Sequence, residues 1–293
     1  MHMNTDRDRT IEVEGINVRY WAQGNTGSTV VLLHGIGGRL EDWQPTFGSL
    51  TAEHRVVALE LPGHGLSDKP ADYSYSIEDL AAFTRTFLTA VSPGRVTLVG
   101  YSLGGAIATR FAIRYPTLVD RLVLIAPAGL GRKVALFFRL ASLPGIGELL
   151  TRPSRSGAAA AAKMCVFDPT IVDDALIESA YQMSIQPGAR EAFLKAVRAN
   201  ANLFGQANSM AQTNLAGVPS VSSPTLVIWG NQDKIIPVTH ADVASRLFPN
   251  VRVELFDRCG HTPMLEYTGK VNRLLLDFLA EPERENHVTS SDR

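Results

Sequence analysis

The sequence predicts an α/β protein in which helices cover both faces of a mostly parallel sheet. Short apolar runs rich in β-branched residues alternate along the chain with longer segments of helical periodicity. Most of these runs are apolar throughout rather than alternating, which is typical of strands buried on both faces. Hydrophobic residues make up 45% of the 293 residues and charged residues 19%, so the chain can bury a core of the size that such a sheet needs.

The predicted elements begin with an antiparallel hairpin, residues 11–14 and 16–21, that turns at Gly15. Six further strands are expected at residues 29–33, 55–61, 95–99, 121–126, 225–229 and 251–256. Helices are expected between them at residues 77–91, 103–115, 238–248 and 268–279. This order favours a parallel sheet wound by crossover helices, with the hairpin at one edge.

Residues 128–222 lack the strand signal. Helical patterns replace it at residues 134–140, 157–164, 171–183 and 189–203. We interpret residues 128–222 as a helical cap, or lid, inserted into a single core domain made of residues 11–127 and 223–280. The polar ends, residues 1–10 and 281–293, are expected to be flexible.

Charge and composition exclude several function classes. The net charge is −1 and the charged residues are well mixed, so no basic stripe predicts a nucleic-acid partner. Cys165 and Cys259 are too few for a disulfide framework, and the N-terminus is charged where a signal peptide would be apolar, which predicts a cytoplasmic protein. No apolar run reaches about 18 residues, so stable membrane insertion is not expected.

One serine lies between glycines directly after the predicted strand 95–99. The segment reads Gly100-Tyr101-Ser102-Leu103-Gly104 and opens the helix predicted from Leu103. A serine on such a sharp strand-to-helix turn is exposed at the carboxyl end of the sheet, and the flanking residues must be small because neighbouring backbone passes close by. The spacing predicts a nucleophile elbow with Ser102 as the nucleophile.

An unactivated serine hydroxyl is a weak nucleophile, so a base and a group that orients the base must lie nearby. Asp233 follows the strand predicted at 225–229, and His261 follows the strand predicted at 251–256. Loops at the carboxyl ends of parallel strands gather around one crevice. Asp233 and His261 are therefore the candidate orienting acid and base. Asp257 is a weaker candidate acid, because it lies in the same strand-to-loop passage as His261.

In chain order, these motifs resemble the α/β-hydrolase superfamily, in its serine-nucleophile branch. The similarity covers residues 11–279 and includes His34-Gly35-Ile36-Gly37-Gly38, the glycine turn at residues 61–67 and the three segments above. The resemblance implies the α/β-hydrolase fold and a Ser102–His261–Asp233 triad. It also implies an oxyanion hole made by the backbone N–H groups of Ile36 and Leu103.

The family resemblance leaves several activities open. We rank first a carboxylesterase that acts on a small-molecule acyl substrate. No metal and no cofactor are expected, because the histidines are dispersed and no nucleotide-binding fingerprint is present. The alternative is a carbon-carbon bond hydrolase of aromatic ring-cleavage products. A cofactor-free haloperoxidase, a lactonase and a non-catalytic binding protein follow. The sequence makes no prediction of oligomeric state.

Carbon-carbon hydrolases usually carry a Gly-Pro-Gly oxyanion loop, an asparagine before the serine and a tryptophan after the histidine. This chain has Ile36-Gly37-Gly38, Tyr101 and Thr262 at those places, which lowers their rank. The aromatic and sulfur-containing side chains expected to line a substrate pocket are Tyr101, Phe137, Phe138 and Met183.

Overall fold

The computed structural model describes residues 7–282, and its centre is an eight-stranded sheet. The strands are β1 (Asp8–Val13), β2 (Ile16–Gln23), β3 (Thr29–Leu33), β4 (Arg55–Leu59), β5 (Val96–Tyr101), β6 (Val119–Ile125), β9 (Thr225–Gly230) and β10 (Val251–Phe256), with a separate pair β7 (Ala201–Asn202) and β8 (Gly205–Gln206). The order in the sheet is β1-β2-β4-β3-β5-β6-β9-β10. In this sheet β2 pairs antiparallel with β1 and β4, and every other pair is parallel, whereas the separate pair β7–β8 is antiparallel.

Two hydrophobic layers, one on each face of the sheet, hold the sheet in place. In β3, Val31 and Leu33 belong to one buried cluster, whereas Val30 and Leu32 belong to the other. Successive side chains of a strand point to opposite faces, so a strand covered on both sides must be apolar at every position. The continuous apolar runs seen in the sequence follow from this burial.

Twelve helices surround the described sheet. They are α1 (Gln44–Leu50), α2 (Ile77–Val91), α3 (Leu103–Arg114), α4 (Leu136–Ala141), α5 (Ile146–Leu150), α6 (Arg155–Cys165), α7 (Asp174–Ser184), α8 (Ala189–Asn200), α9 (Asn208–Gly217), α10 (Thr239–Leu247), α11 (Pro263–Glu266) and α12 (Thr268–Ala280). Helices α2, α3 and α10 bury residues in one layer, and α1 and α12 bury residues in the other. The α/β prediction with helices on both faces is confirmed.

Several elements differ from the expectation. Helix α1 was not predicted, since Pro45 and Gly48 interrupt its helical signal, yet its buried residues Phe47 and Leu50 pack against the sheet. The short pair β7–β8 interrupts a region where no strand was expected. Residues 8–10, expected to be flexible, form part of β1. The other predicted flexible residues, apart from Arg7, Glu281 and Pro282, lie outside the described chain.

Residues 128–222, called the cap segment below, have a small core of their own. Ala141, Leu194, Val197 and Ala201 are buried together, with Phe138 packed against them. The last helix of this segment, α9, packs instead on α3 of the main core: Met210 joins the main cluster. The boundaries at residues 128 and 222 stay a prediction.

The carboxyl end of the sheet requires glycine where β5 turns into α3. A Cβ atom at Gly104 would lie 2.2 Å from the Leu33 carbonyl oxygen, whereas one at Gly48 in α1 would meet nothing within 4 Å. We expect Gly104→Ala to lower the free energy of unfolding by about 1–3 kcal/mol or more, because backbone has to move. Gly48→Ala is the matched control and should raise it by up to about 1 kcal/mol. Urea unfolding of the two variants measures both effects, and equal stabilities would contradict the close-approach argument.

Candidate active site

Ser102 stands at the turn between β5 and α3 in a strained backbone conformation. Its φ is 53° and its ψ is −114°, and its backbone N–H donates to the Ile125 carbonyl at 3.0 Å. A positive φ in a residue with a Cβ costs free energy and persists only where the surroundings enforce it. The close contacts at Gly100 and Gly104 supply that enforcement, since a Cβ at Gly100 would lie 2.3 Å from the Gly104 carbonyl oxygen.

The structure brings Ser102, His261 and Asp233 into one hydrogen-bonded chain. His261 Nε2 lies 2.9 Å from Ser102 Oγ, and His261 Nδ1 lies 2.7 Å from Asp233 Oδ2. The serine residue is 7% exposed and the histidine 3%. Because a carboxylate only accepts hydrogen bonds, His261 carries its proton on Nδ1 and turns the lone pair of Nε2 towards the serine hydroxyl. This is the arrangement in which a histidine can take the serine proton.

Asp233 accepts four hydrogen bonds. Its Oδ2 also accepts from Trp229 Nε1 at 3.0 Å, while Oδ1 accepts from the backbone N–H groups of Ile235 and Ile236 at 2.7 and 2.9 Å. These donors fix the plane of the carboxylate, so that Oδ2 faces the imidazole. The sequence reasoning missed Trp229. Its signal was an indole donor at the end of the buried strand, four residues before the acid.

Two competing assignments receive no support from the geometry. Asp257 accepts from Gln232 Nε2 at 3.0 Å and has no bond to His261. His34 accepts at Nε2 from the Leu61 N–H at 3.0 Å and donates from Nδ1 to the Gly35 carbonyl at 2.8 Å, so both ring nitrogens are occupied. Burial lowers the pKa of His34 to about 3. His34 is therefore a neutral support beneath residues 34–38.

The two residues predicted for the oxyanion hole lie beside the serine. Leu103 is the first residue of α3, so its N–H has no carbonyl partner within the helix and points out of the helix N-terminus. Ile36 lines the same cavity as Ser102 and Leu103. The preceding glycine permits this approach, because a Cβ at Gly35 would lie 3.1 Å from the Cβ of Ser102.

The cavity that reaches Ser102 is small and mostly apolar. Its volume is about 50 Å³, the space of one or two water molecules. The lining side chains are Ile36, Ser102, Leu103, Ala128, Val134, Phe138, Val197, Asn200, Ala201, Gln206, Met210, Ile235 and Ile236. The two amides are engaged with backbone: Asn200 with Tyr75 and Ile77, and Gln206 with Gly129 and Lys133. A substrate group that enters this cavity therefore meets hydrocarbon on most sides.

Of the four side chains predicted to line a pocket, only Phe138 does so. Tyr101 is buried in the hydrophobic layer that contains Val30 and Leu32 of β3, and its ring lies 5.1 Å from that of His261. Phe137 packs on Phe138 and the small core of the cap segment. Met183 lies on α7, which packs on α6 and α8. Tyr101, Phe137 and Met183 therefore do not line this cavity, and their role in a substrate pocket stays a prediction; the aliphatic residues from the loop after β9, which do line it, were missed.

Burial of His240, near the loop that carries Asp233 (residues 231–236, called the acid loop below), gives a pH dependence that can be tested. Burial, and secondarily Lys133, lowers the pKa of His240 to about 4, below the value of about 6.5 in an unfolded chain. The unfolded chain thus binds this proton first, and the stability contributed by the neutral ring is present above pH 6.5 and lost as pH falls towards 4. In the wild type, this ring makes the free energy of unfolding fall by up to about 1.4 kcal/mol per pH unit between pH 6.5 and 4, and we expect His240→Gln to remove that contribution to the slope. Urea titrations of both proteins at about pH 7, 6 and 5 measure the slopes, and parallel slopes would contradict the prediction.

Within residues 7–282, no group of three or more His, Cys, Asp or Glu side chains is arranged to hold a metal ion. None of the helices there has the length and apolar character needed to cross a membrane.

Comparisons with known proteins agree with this fold. The model of the alpha/beta hydrolase family matches residues 30–274. The chain is 30% identical over 279 residues to a 2-hydroxymuconate semialdehyde hydrolase of a Pseudomonas species, covering 94% of each chain. A meta-cleavage product hydrolase from Pseudomonas fluorescens superposes with a TM-score of 0.79 at 26% identity, covering 94% of this chain and 98% of that one.

A third neighbour is a membrane phospholipase A described as a bacterial virulence factor. It superposes with a TM-score of 0.76 at 26% identity, over 93% of this chain and 85% of that chain. The match over most of the sequence, the sheet order and these neighbours lead to one conclusion: this chain belongs to the alpha/beta hydrolase family.

Proposed function

We propose that this chain is a cofactor-free serine hydrolase that cleaves carboxylic esters with small, uncharged acyl groups. One observation carries the proposal: the hydrogen-bonded chain Ser102–His261–Asp233 ends at an apolar cavity. The distances of 2.9 and 2.7 Å lie within the reach that general-base activation of a serine requires.

In the proposed reaction, His261 Nε2 takes the hydroxyl proton as Ser102 Oγ attacks the ester carbonyl carbon. The carbonyl oxygen becomes an oxyanion, which the N–H groups of Leu103 and Ile36 stabilise together with the N-terminus of α3. The tetrahedral intermediate expels the alcohol, which receives the proton from His261. Water then adds to the acyl-enzyme with His261 again as base, and the carboxylic acid leaves as Ser102 recovers its proton.

The lining of the cavity favours an uncharged acyl group. Within the described chain, no Lys or Arg lines the cavity, and the two lining amides are engaged with backbone groups. A carboxylate entering such a site would lose its hydration without gaining a cation, which costs several kcal/mol (~5). The ester of a simple alkanoic acid carries no such charge.

The second candidate is carbon-carbon bond hydrolysis, and the comparisons favour it. Two of the relatives above are named as a 2-hydroxymuconate semialdehyde hydrolase and a meta-cleavage product hydrolase. The muconate in the first name carries a carboxylate, for which this cavity supplies no cation. The phospholipase A neighbour supports the ester reading. We therefore rank ester cleavage first.

The test is a turnover assay with p-nitrophenyl esters of increasing acyl length beside an aromatic ring-cleavage diketone, with a serine-directed phosphonate as inhibitor. We expect ester turnover with a burst, inhibition by the phosphonate, and an inert diketone. Fast diketone cleavage with weak ester turnover would move the assignment to carbon-carbon hydrolysis. No turnover of either the esters or the diketone, with no labelling of Ser102, would favour the non-catalytic binding protein instead.

A further inference from the structure

The cap segment holds the loop that carries His261 through hydrogen bonds. The histidine loop, residues 259–262, contacts residues 165–167 at the end of α6. The His261 backbone N–H donates to the Cys165 carbonyl at 2.7 Å, and Thr262 Oγ1 donates to the same carbonyl at 3.3 Å. The fit is tight, because a Cβ at Gly260 would lie 2.7 Å from that carbonyl oxygen.

One carboxylate ties these two segments together. Glu266, the last residue of α11, accepts from the Gly260 N–H at 2.7 Å through Oε1 and from the Phe167 N–H at 2.7 Å through Oε2. Each oxygen thus serves a different segment, and a carboxylate can accept at both oxygens at once. The Glu266 side chain does not line the cavity at Ser102; it contacts the histidine loop through the Gly260 N–H and through the Cys259 thiol, whose Sγ donates to Oε1 at 3.6 Å.

The other side of the histidine loop is held by the acid loop. Gln232 Oε1 accepts from the Cys259 N–H at 3.0 Å, and the Gln232 N–H donates to the Cys259 carbonyl at 2.9 Å. The histidine loop is therefore clamped between the residue beside Asp233 and the cap segment. Removing one side of the clamp leaves the loop free to shift, and a misplacement of about 1 Å can cost on the order of 100-fold in rate.

We propose that Glu266 is a positioning residue that couples the cap segment to the base: it keeps His261 within reach of Ser102 and Asp233 only while residues 165–167 are seated on the histidine loop. This inference rests on the proposed function, in which His261 is the base. Its consequence is that movement of the 165–167 segment lowers the rate of the chemical step, although none of these residues lines the cavity.

The test compares Glu266→Ala and Glu266→Gln with Glu254→Gln, a control on β10 whose partner is Arg252. We expect Glu266→Ala to lower kcat per titrated active site by about 10- to 100-fold, because the base is then displaced by up to about 1 Å from its position beside Ser102. KM should stay within about twofold, because Glu266 does not line the cavity. Glu266→Gln keeps one acceptor oxygen, so its rate should lie between that of the alanine variant and the wild type.

A second readout does not depend on turnover. The proton between His261 Nδ1 and Asp233 gives a resonance downfield of the amide region in a ¹H NMR spectrum. We expect this signal to broaden or shift in Glu266→Ala and to stay unchanged in Glu254→Gln. Wild-type kcat and an unchanged signal in Glu266→Ala would overturn the proposal, and so would a loss of kcat explained fully by a smaller fraction of folded protein. If the wild type neither turns over esters nor reacts with the phosphonate, the proposed function fails, while the NMR comparison still decides whether Glu266 positions the imidazole.

Discussion

Replacing Ser102 with Ala should abolish ester turnover, with a loss of kcat of about a millionfold, while the protein stays folded. The hydroxyl oxygen of Ser102 is the atom that attacks in the proposed mechanism. Among residues 7–282, it is the hydrogen-bond partner of His261 Nε2, and no second side chain shares that position. An alanine also fits the strained turn no worse than serine does, since both carry a Cβ. Stopped-flow and endpoint assays with p-nitrophenyl esters measure the loss, and thermal unfolding checks the fold.

A matched serine variant separates nucleophile loss from a general effect. Ser49 in α1 donates to the Thr46 carbonyl at 2.8 Å and lies outside the candidate site, so Ser49→Ala should keep wild-type kcat. Phosphonate should label Ser49→Ala and leave Ser102→Ala unlabelled. Turnover of Ser102→Ala within about tenfold of the wild type would remove serine as the nucleophile.

Replacing Asp233 with Asn should lower kcat by about 10,000-fold, and it should also lower the free energy of unfolding by about 1–3 kcal/mol, because the amide nitrogen then faces the Trp229 Nε1 donor. The reason lies in the donors around the carboxylate. If the amide oxygen keeps the two N–H groups of Ile235 and Ile236, the amide nitrogen faces His261 Nδ1. The ring must then accept at Nδ1 and carry its proton on Nε2, where it can no longer take the serine proton.

The control for this variant is Asp257→Asn. Asp257 lies four residues before His261 and contacts Gln232 rather than the imidazole, so its amide should leave kcat within about twofold of the wild type. If Asp257→Asn were the damaging change and Asp233→Asn were near normal, the orienting role would belong to Asp257. Steady-state rates of both variants at neutral pH decide between the two carboxylates.

The two sides of the candidate site differ in how they are held. Ser102 is fixed by glycines that let β5, α3 and β3 approach within van der Waals contact, so its position belongs to the sheet. His261 is fixed by hydrogen bonds to the acid loop and to the cap segment. The nucleophile is thus fixed by the packed core, whereas the base is fixed by loops. Loops are the elements whose movement usually gates an enzyme.

The sequence alone determined the strands and the places where chemistry can occur. Strand 29–33 is predicted as observed, because a strand buried on both faces must be apolar at each residue, which is a local property. The turn at Ser102 is also visible in the sequence as a Gly-x-Ser-x-Gly spacing, but only Gly100 is required by local backbone, that of Gly104 and Gly105, whereas Gly104 is required by Leu33 on a neighbouring strand. The positions of Asp233 and His261 at strand ends follow from the same pattern.

Only the tertiary structure decided which side chains meet. Phe137 and Phe138 are neighbours on a helix that is apolar nearly all round, so periodicity could not tell which one faces the cavity. Ser102 and His261 are 159 residues apart and Phe167 and Glu266 are 99 apart. Contacts over such separations depend on how whole elements pack against each other. A local sequence pattern predicts the secondary structure of its own segment, but it does not predict these contacts.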